Sequence, residues 1–471
     1  MKVILKHPGE HPDYHVYEIL NIFSRCDIQY EPFSDALSVV CEDGAGNELS
    51  RETIDMTDRK VMKRSLYEIL SRLTGYESPW GAITGVRPCK TVNDIAAKNA
   101  KNGEPDFEEA DRELKDFYLV SGQKRALAIS TAKNQRKFLE DQRNNPQKID
   151  LYVAIPFCPS RCLYCSFTSN SIIKYRKYVD SYLDHLEEEL KCCARIAREN
   201  GFVFDSIYLG GGTPTSFDDE RFERYMSIIL NTIDMSTVGE FALEAGRPDS
   251  ITEGKLRTAK TAGVNRLSIN PQTMNEKTLR RIGRAHNTLQ VYEAFELARK
   301  EGFYNINTDI IAGLPGESID DFATTLEKIG DLSPEGLTVH TLSVKRAADL
   351  KLDLETQSEL RPDDLAVMTA MGYDFAISRG MLPFYLYRQK NMLGNHENVG
   401  YCLPGHESPY NIHIMEEDKT ILAAGAGSVT KFVTGGDIFR IYDVKSIEEY
   451  DSRWQEMIDR KNELFGVARA K

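Results

Sequence analysis

From Ile149 onward, short apolar runs alternate with stretches of helical period. The runs are Leu151–Ile155, Ser206–Leu209, Phe241–Glu244, Arg266–Ile269, Ile306–Ile311 and Gly336–Leu342; amphipathic stretches lie near Tyr178–Arg198, Asp219–Ile233, Ile251–Ala262, Leu289–Lys300 and Ile319–Ile329. Strands separated by whole helices pair in parallel, because a parallel neighbour needs a crossover connection. The pattern predicts an α/β protein with an open or partial (β/α)6 barrel. Residues 1–147 read differently. Val3–Leu5 and Leu37–Val40 look like strands, Tyr14–Phe23, Asp58–Leu73 and Gly122–Glu140 like helices, and together they predict an N-terminal α+β accessory domain. The expected division is 1–147, a core at 148–345, and a short C-terminal extension at 346–471 that completes the core.

Composition narrows the function. The chain has 471 residues, 41% of them hydrophobic, enough for a large core and about three domains. A net charge of −13 disfavours binding to a phosphate backbone, so nucleic acid is not an expected partner. No run of 18 apolar residues occurs, and the N-terminus breaks into charge too early for a signal peptide, so no membrane association is expected and the expected location is the cytoplasm. Nine cysteines are too few and too scattered for a disulfide framework. Cys26, Cys41, Cys89, Cys192 and Cys193 are most simply packed thiols.

The remaining polar residues cluster where the strands end. Cys158, Cys162 and Cys165 follow the first run, Gly210-Gly211-Gly212-Thr213-Pro214-Thr215 the second, and Glu244 closes the third; Gln272 follows the fourth, Asp309 lies within the fifth, and Ser343 follows the sixth. Parallel barrels carry their chemistry on that rim. The cysteines fall at C-x3-C-x2-C spacing, with no fourth Cys or His nearby to close a structural zinc site. A four-iron cluster held by three thiolates keeps one iron open for reaction. Consecutive glycines let the backbone approach a ligand closely.

This spacing, with Tyr164 just before the third cysteine, resembles the radical S-adenosylmethionine (SAM) superfamily. Tyr152–Cys158, Tyr208–Thr215, Asn265–Gln272 and Asp309–Gly316 narrow the resemblance to the oxygen-independent coproporphyrinogen III oxidase family. The resemblance implies a [4Fe-4S] cluster on Cys158, Cys162 and Cys165 and one or two molecules of SAM. Tyr152, Gly211, Glu244 and Ser343 match contacts to the cluster-bound SAM. Tyr164, Gly212, Thr213, Gln272, Arg284 and Asp309 match positions around a second SAM, and Tyr164, Gln272 and Arg284 are the expected residues nearest the chemistry. Each has a plainer reading as rim polarity, and Arg284 as a helix cap.

The implied activity is oxidative decarboxylation of coproporphyrinogen III to protoporphyrinogen IX, with a flavodoxin- or ferredoxin-type electron donor. The alternatives are a haem-binding chaperone and a radical SAM enzyme that methylates or opens a tetrapyrrole. The chain departs from the decarboxylase where Ser166-Phe167 follow the third cysteine and where Glu-Ala-Gly-Arg-Pro-Asp occupies 244–249. With the long N-terminal region, these departures suggest the HemZ-type branch. The family's C-terminal helical domain is expected to be truncated or absent. Arg161, Lys174, Arg176, Lys177, Arg388 and Lys390 are candidate cations for substrate carboxylates, and the 174–177 group reads equally well as a solvated face. His396, Cys402, His406 and His413 form a candidate metal or haem loop. Thr84–Lys90 reads as a turn leading into a helix, with contact to substrate or to the next domain as the other reading.

Overall fold

The computed structural model describes residues 2–24, 26–165, 169–343, 362–389 and 393–469. The chain divides into two compact units, one of residues 1–132 with 387–397, the other of 133–386 with 398–471. The boundary falls inside the helix Gly122–Asn144 rather than at 147.

In the first unit, strands β1 (Lys2–Lys6), β2 (Ile28–Glu31), β3 (Ser38–Glu42) and β4 (Glu48–Thr53) form one sheet in the order β2-β1-β3-β4. Apolar residues of β1 and β3 pack on the helices Tyr14–Ile22 and Arg59–Thr74 around Val3, Leu5, Ile19, Val39, Leu66 and Leu70. Asp13 and Asp58 start these helices by accepting from the free amides of the first turn. Strand β4 has no fully buried residue, which is why apolar patterning overlooks it. The Thr84–Lys90 turn does lead into a helix, Pro88–Lys98, with proline at its first position, where a missing N–H costs nothing.

Segment 387–397 is chemically part of this unit. Arg388, a candidate substrate cation, is buried here: its backbone N–H donates to Val86 O at 2.7 Å, its Nη1 to Ile83 O at 2.6 Å, and its guanidinium lies 5.7 Å from the Trp80 ring. Burial pulls its pKa down to about 10. Beside it, Glu397 accepts from Trp80 Nε1 at 2.8 Å and pairs with Lys124 at 2.5 Å. Arg388 is a structural cation, a correction to its reading as a substrate ligand. Lys390, Ser166 and Phe167 lie outside the described residues.

The second unit is built on one sheet of eleven strands. Strands β5 (Lys148–Ile155), β8 (Val203–Gly211), β9 (Glu240–Glu244), β10 (Arg266–Ser268), β11 (Ile306–Ala312) and β12 (Gly336–Thr341) are consecutive parallel neighbours, the six runs read from the sequence. The short strands β6 (Phe157–Cys158) and β7 (Asn170–Ser171) pair with each other above β5. Residues after 381 add the edges. Strands β13 (Leu382–Tyr387) and β14 (Asn398–Cys402) extend the sheet past β12, while β15 (Ile421–Ala424), β16 (Val429–Thr434) and β17 (Asp437–Tyr442) extend it past β5. The sheet is open, a partial barrel with antiparallel edges. Among the described residues no helix is long and apolar enough to cross a membrane.

A buried ion network joins the C-terminal helix Ile447–Arg469 to the helix Val179–Asn200. Lys461 Nζ lies 2.5 Å from Glu189 Oε1 and 2.9 Å from Asp443, and none of the three is more than marginally exposed. Glu189 also accepts from Gly425 N at 2.9 Å and from Tyr450 OH, and Ser428 donates to Asp443 at 2.7 Å. Removing the cation leaves the buried Glu189 carboxylate and the Asp443 carboxyl, which burial holds towards its neutral form, without their counter-ion. Lys461→Met is therefore expected to destabilise this unit by about 3–5 kcal/mol, read as a lower urea midpoint, with Lys461→Arg intermediate.

Candidate active site

Inward positions alternate along each strand, and their register stacks them in layers. Asp150, Ser206 and Glu240 stand side by side near the strand starts; Tyr152, Tyr208, Ala242 and Arg266 form the next layer. The Tyr152 and Tyr208 rings stack at 6.2 Å, and Tyr410 closes on Tyr208 at 4.5 Å. Towards the C-terminal ends the layers become polar, with Glu244, Ser268 and Asn307 in register, then Asp309 and finally His340.

The cysteine loop sits on this end and is held from two sides. On one side, Gly212 N–H donates to Ile155 O at 2.6 Å and Thr213 N–H to Phe157 O at 2.7 Å, while Thr213 Oγ1 lies 3.4 Å from Cys158 Sγ. A Cβ on Gly212 would stand 2.6 Å from Phe157 O and 3.0 Å from Cys158 Sγ, so only glycine lets the two loops meet. On the other side, Leu163 N–H donates to Ile282 O and Ser160 Oγ to Gly283 O, both at 3.0 Å. Cys158 and Cys162 are buried and Cys165 partly exposed. Burial pushes the Cys158 thiol up, so it stays protonated until a cation takes its proton's place.

Two buried arginines face the loop. Arg284 donates to Asn270 O at 2.5 Å and to Gly246 O at 3.3 Å. Burial alone would lower its pKa, but the neighbouring Tyr164 and Cys162 hold it above the usual value. Arg247 lies between Asp249, at 3.0 Å, and the loop, donating to Ser160 O at 3.1 Å, with Nη1 4.0 Å from Cys162 Sγ. Sequence reading missed Arg247 as a site residue, although the departure at 244–249 marks its position. It is a positioning residue for the thiol loop.

Glu244 and Asp309 have opposite electrostatics. Desolvation raises the Glu244 pKa to about 7, although Tyr208 OH donates to it at 2.7 Å and Gly211 N–H also donates to it. Gly211 holds φ at +106°, and a Cβ there would meet Ile155 O at 2.9 Å. Asp309 is equally enclosed, and burial favours its neutral form, but His340 at 3.5 Å and Asn307 at 2.7 Å hold its pKa below the usual carboxylate range. Neither Tyr208 nor His340 was read from the sequence, because each sits inside an apolar run and only strand alternation turns it inward.

Gln272 is locally strained. Its φ is +70°, outside the comfortable range of a residue with a Cβ, and it is pinned to β11 by Gln272 N–H to Asp309 O at 3.0 Å and Ile311 N–H to Gln272 O at 2.9 Å. Among the described residues, its buried Oε1 has no hydrogen-bond partner, and neither has Ser343 Oγ. Polar atoms buried in that state are suited to a ligand. The expected residues thus gather at one barrel end, where Asn270 joins Arg284, through its carbonyl, to Asp309, whose N–H its side chain accepts at 3.2 Å.

Residues 152–329 match the radical SAM superfamily. The oxygen-independent coproporphyrinogen-III oxidase-like protein HemZ of Bacillus subtilis is 36% identical over 417 residues, 86% of this chain and 82% of that one. The chain belongs to this oxidase-like family of radical SAM proteins. Other relatives differ in what they are named for. The heme chaperone HemW of B. subtilis is 38% identical over 195 residues, 41% of this chain and 50% of that one. The oxygen-independent coproporphyrinogen III oxidase of Escherichia coli is 30% identical over 261 residues, 53% of this chain and 56% of that one. The solved structure of E. coli HemN, a coproporphyrinogen III oxidase, superposes with a TM-score of 0.51 at 22% identity, covering 69% of this chain and 73% of that one; the two share a fold.

A radical SAM protein uses a [4Fe-4S] cluster and SAM, and the site fits both. Among the described residues, no three His, Cys, Asp or Glu side chains converge on a point that would hold a single metal ion. A cluster needs no such convergence, because each thiolate meets a different iron. Among the described residues, the candidates His396, Cys402, His406 and His413 form no such group either. His413 is paired with Asp418 at 2.9 Å, and burial pushes the Cys402 thiol up to about 12.

Proposed function

We propose that this chain is a cytoplasmic radical SAM enzyme of porphyrin biosynthesis that oxidatively decarboxylates coproporphyrinogen III propionates to vinyl groups. The observation that carries the reading is the second polar set. Tyr164, Gln272, Arg284 and Asp309 come from four segments near the thiol loop, linked by Arg284 to Tyr164, by Asn270 to Arg284 and Asp309, and by Gln272 N–H to Asp309 O, with Gln272 Oε1 left unsatisfied among the described residues. A binding protein needs a pocket; a strained, desolvated polar set aimed at a reactive centre suits catalysis by positioning. The relatives named oxidase-like, from B. subtilis, and oxidase, from E. coli, support the same reading.

In this reading Cys158, Cys162 and Cys165 would hold the cluster. When bound, the cluster and SAM would together supply the chemistry of hydrogen-atom abstraction. Tyr152, Gly211, Glu244 and Ser343 hold the SAM beside the loop, with the Glu244 carboxylate accepting the ribose hydroxyls. Gly212, Thr213, Tyr164, Gln272, Arg284 and Asp309 hold a second SAM or the substrate. Arg284 brings a fixed positive charge next to the thiolates and to any anionic group placed there.

The deciding assay is anaerobic turnover of coproporphyrinogen III by reconstituted protein, with vinyl products followed by chromatography. Vinyl product supports the enzyme. Stoichiometric haem binding with no vinyl product overturns it in favour of the chaperone reading, which the HemW similarity favours.

Glu244 makes the reading pH-dependent. Its pKa of about 7 lies above the ordinary 4.5, so burial favours the protonated acid, and that stabilisation is lost as pH rises through 7. The carboxylate that accepts ribose hydroxyls predominates only above that point. SAM affinity is therefore expected to tighten about tenfold between pH 6 and 8, and Glu244→Gln to flatten the profile. Titration calorimetry at fixed ionic strength checks this.

A further inference from the structure

The cysteine loop is flanked on both sides by exposed cations. From Leu151 to Val179 the chain contains no acidic residue, and Arg161, Lys174, Arg176 and Lys177 are all exposed. Strand β7 pairs with β6, and Ile172 N–H donates to Cys158 O at 3.0 Å, so Ile173 and Lys174 leave from the strand paired with the one that carries the first thiol. Across the loop, the helix Glu276–Arg281 ends in exposed Arg280 and Arg281, immediately before Ile282 and Gly283, whose carbonyls anchor Leu163 and Ser160. Two apolar side chains stand among these cations, Leu163 at 37% exposure and Ile173 at 81%. Of the neighbouring acids, Glu448 faces Lys174 and Tyr175, Glu276 lies near Arg280, and Asp180, near Arg176, is held by Arg221 at 2.8 Å.

A basic face is unexpected on a chain of net charge −13. The whole molecule repels an anionic protein, so this face is where such a protein can approach. Exposed apolar residues ringed by arginine and lysine have the make-up of a transient protein interface. It also lies over the group that must receive an electron from outside for each SAM cleaved. We infer that this face docks the electron donor, a small acidic protein carrying a one-electron centre near its own surface. In docking there, the carrier would be oxidised by one electron and the cluster held by the three thiols reduced by one, and no bond forms or breaks in that step. The inference rests on Cys158, Cys162 and Cys165 holding the cluster. It assigns the 174–177 cations to the donor rather than to substrate carboxylates.

The test uses reconstituted holoenzyme, flavodoxin as the probe, and the triple variant Arg176→Glu/Lys177→Glu/Arg280→Glu. Iron content and dithionite-driven SAM cleavage are expected to match wild type, since dithionite needs no docking face. Flavodoxin affinity by calorimetry at low salt is expected to weaken about tenfold or more, with flavodoxin-driven cleavage falling in parallel. Wild-type affinity is expected to fall steeply with added salt, a readout that depends on no variant folding. Salt-independent wild-type binding overturns the inference, as does triple-variant binding within about twofold of wild type. A raised KM for the tetrapyrrole with unchanged flavodoxin affinity also overturns it and returns the cations to the substrate. The binding arm needs no turnover. Failure of the wild type to cleave SAM with dithionite would strike the cluster assignment, which is a separate result.

Discussion

Alanine at any one of Cys158, Cys162 and Cys165 is expected to abolish reductive SAM cleavage. The three thiols come from one loop, so losing one leaves two ligands on a cluster that already has an open iron. The other cysteines of this unit are buried elsewhere in it. Cys192 and Cys193 lie buried in the helix Val179–Asn200, with Cys193 Sγ directed to Ala423 O at 3.9 Å, and Cys402 lies in β14 with its thiol held protonated by burial. The expected signature is the loss of most iron and sulfide per chain, loss of the visible charge-transfer absorption, and deoxyadenosine below detection. The fold should persist, because the loop is anchored by Gly212, Thr213, Ile282 and Gly283 rather than by the thiols. Unchanged iron and sulfide in the triple alanine variant, or zinc as the bound metal, would sink the radical reading.

Arg284→Ala is expected to cut product formation by about a hundredfold while SAM cleavage falls far less. The guanidinium satisfies the Asn270 and Gly246 carbonyls and faces Tyr164 and Cys162; alanine removes every one of these contacts. Asn270 in turn positions Asp309, so the loss is felt across the second polar set. SAM cleavage would then be uncoupled from a misplaced substrate. The quantity to measure is deoxyadenosine formed per vinyl group, which should rise sharply. Lysine keeps the charge but not the planar fork, so Arg284→Lys should recover only part of the coupling. Gln272→Ala should show the same uncoupling more weakly, since it removes an amide whose oxygen is orphaned and leaves the strained φ, which alanine shares, as it was. An unchanged ratio at an unchanged rate in both alanine variants would remove these residues from the site.

The sequence by itself determined the barrel strands, the thiol loop and the rim. Six apolar runs spaced by helices leave little choice but parallel pairing, and polar residues after each run must fall on one end of such a sheet. The glycines at 211 and 212 were legible because a ligand loop needs backbone approach; the structure shows that they also admit Ile155, Phe157 and Cys158. Beyond residue 345 the sequence was less informative. Strands β13 to β17 are short and edge-placed, and a 387–397 segment that belongs to the first unit has no periodicity of its own to reveal that placement.

Only the tertiary structure decided which charges are structural and which face the chemistry. Arg388 and Arg284 look alike in the sequence, yet one is buried against Trp80 and the other against Tyr164 and Cys162. Tyr208, Arg247 and His340 became site residues only when neighbouring strands and loops were brought into register. The physical reason is burial. Local sequence fixes period and turn, but desolvation and the partner across the sheet set whether a carboxyl sits near 7, as Glu244 does, or below its ordinary range, as Asp309 does.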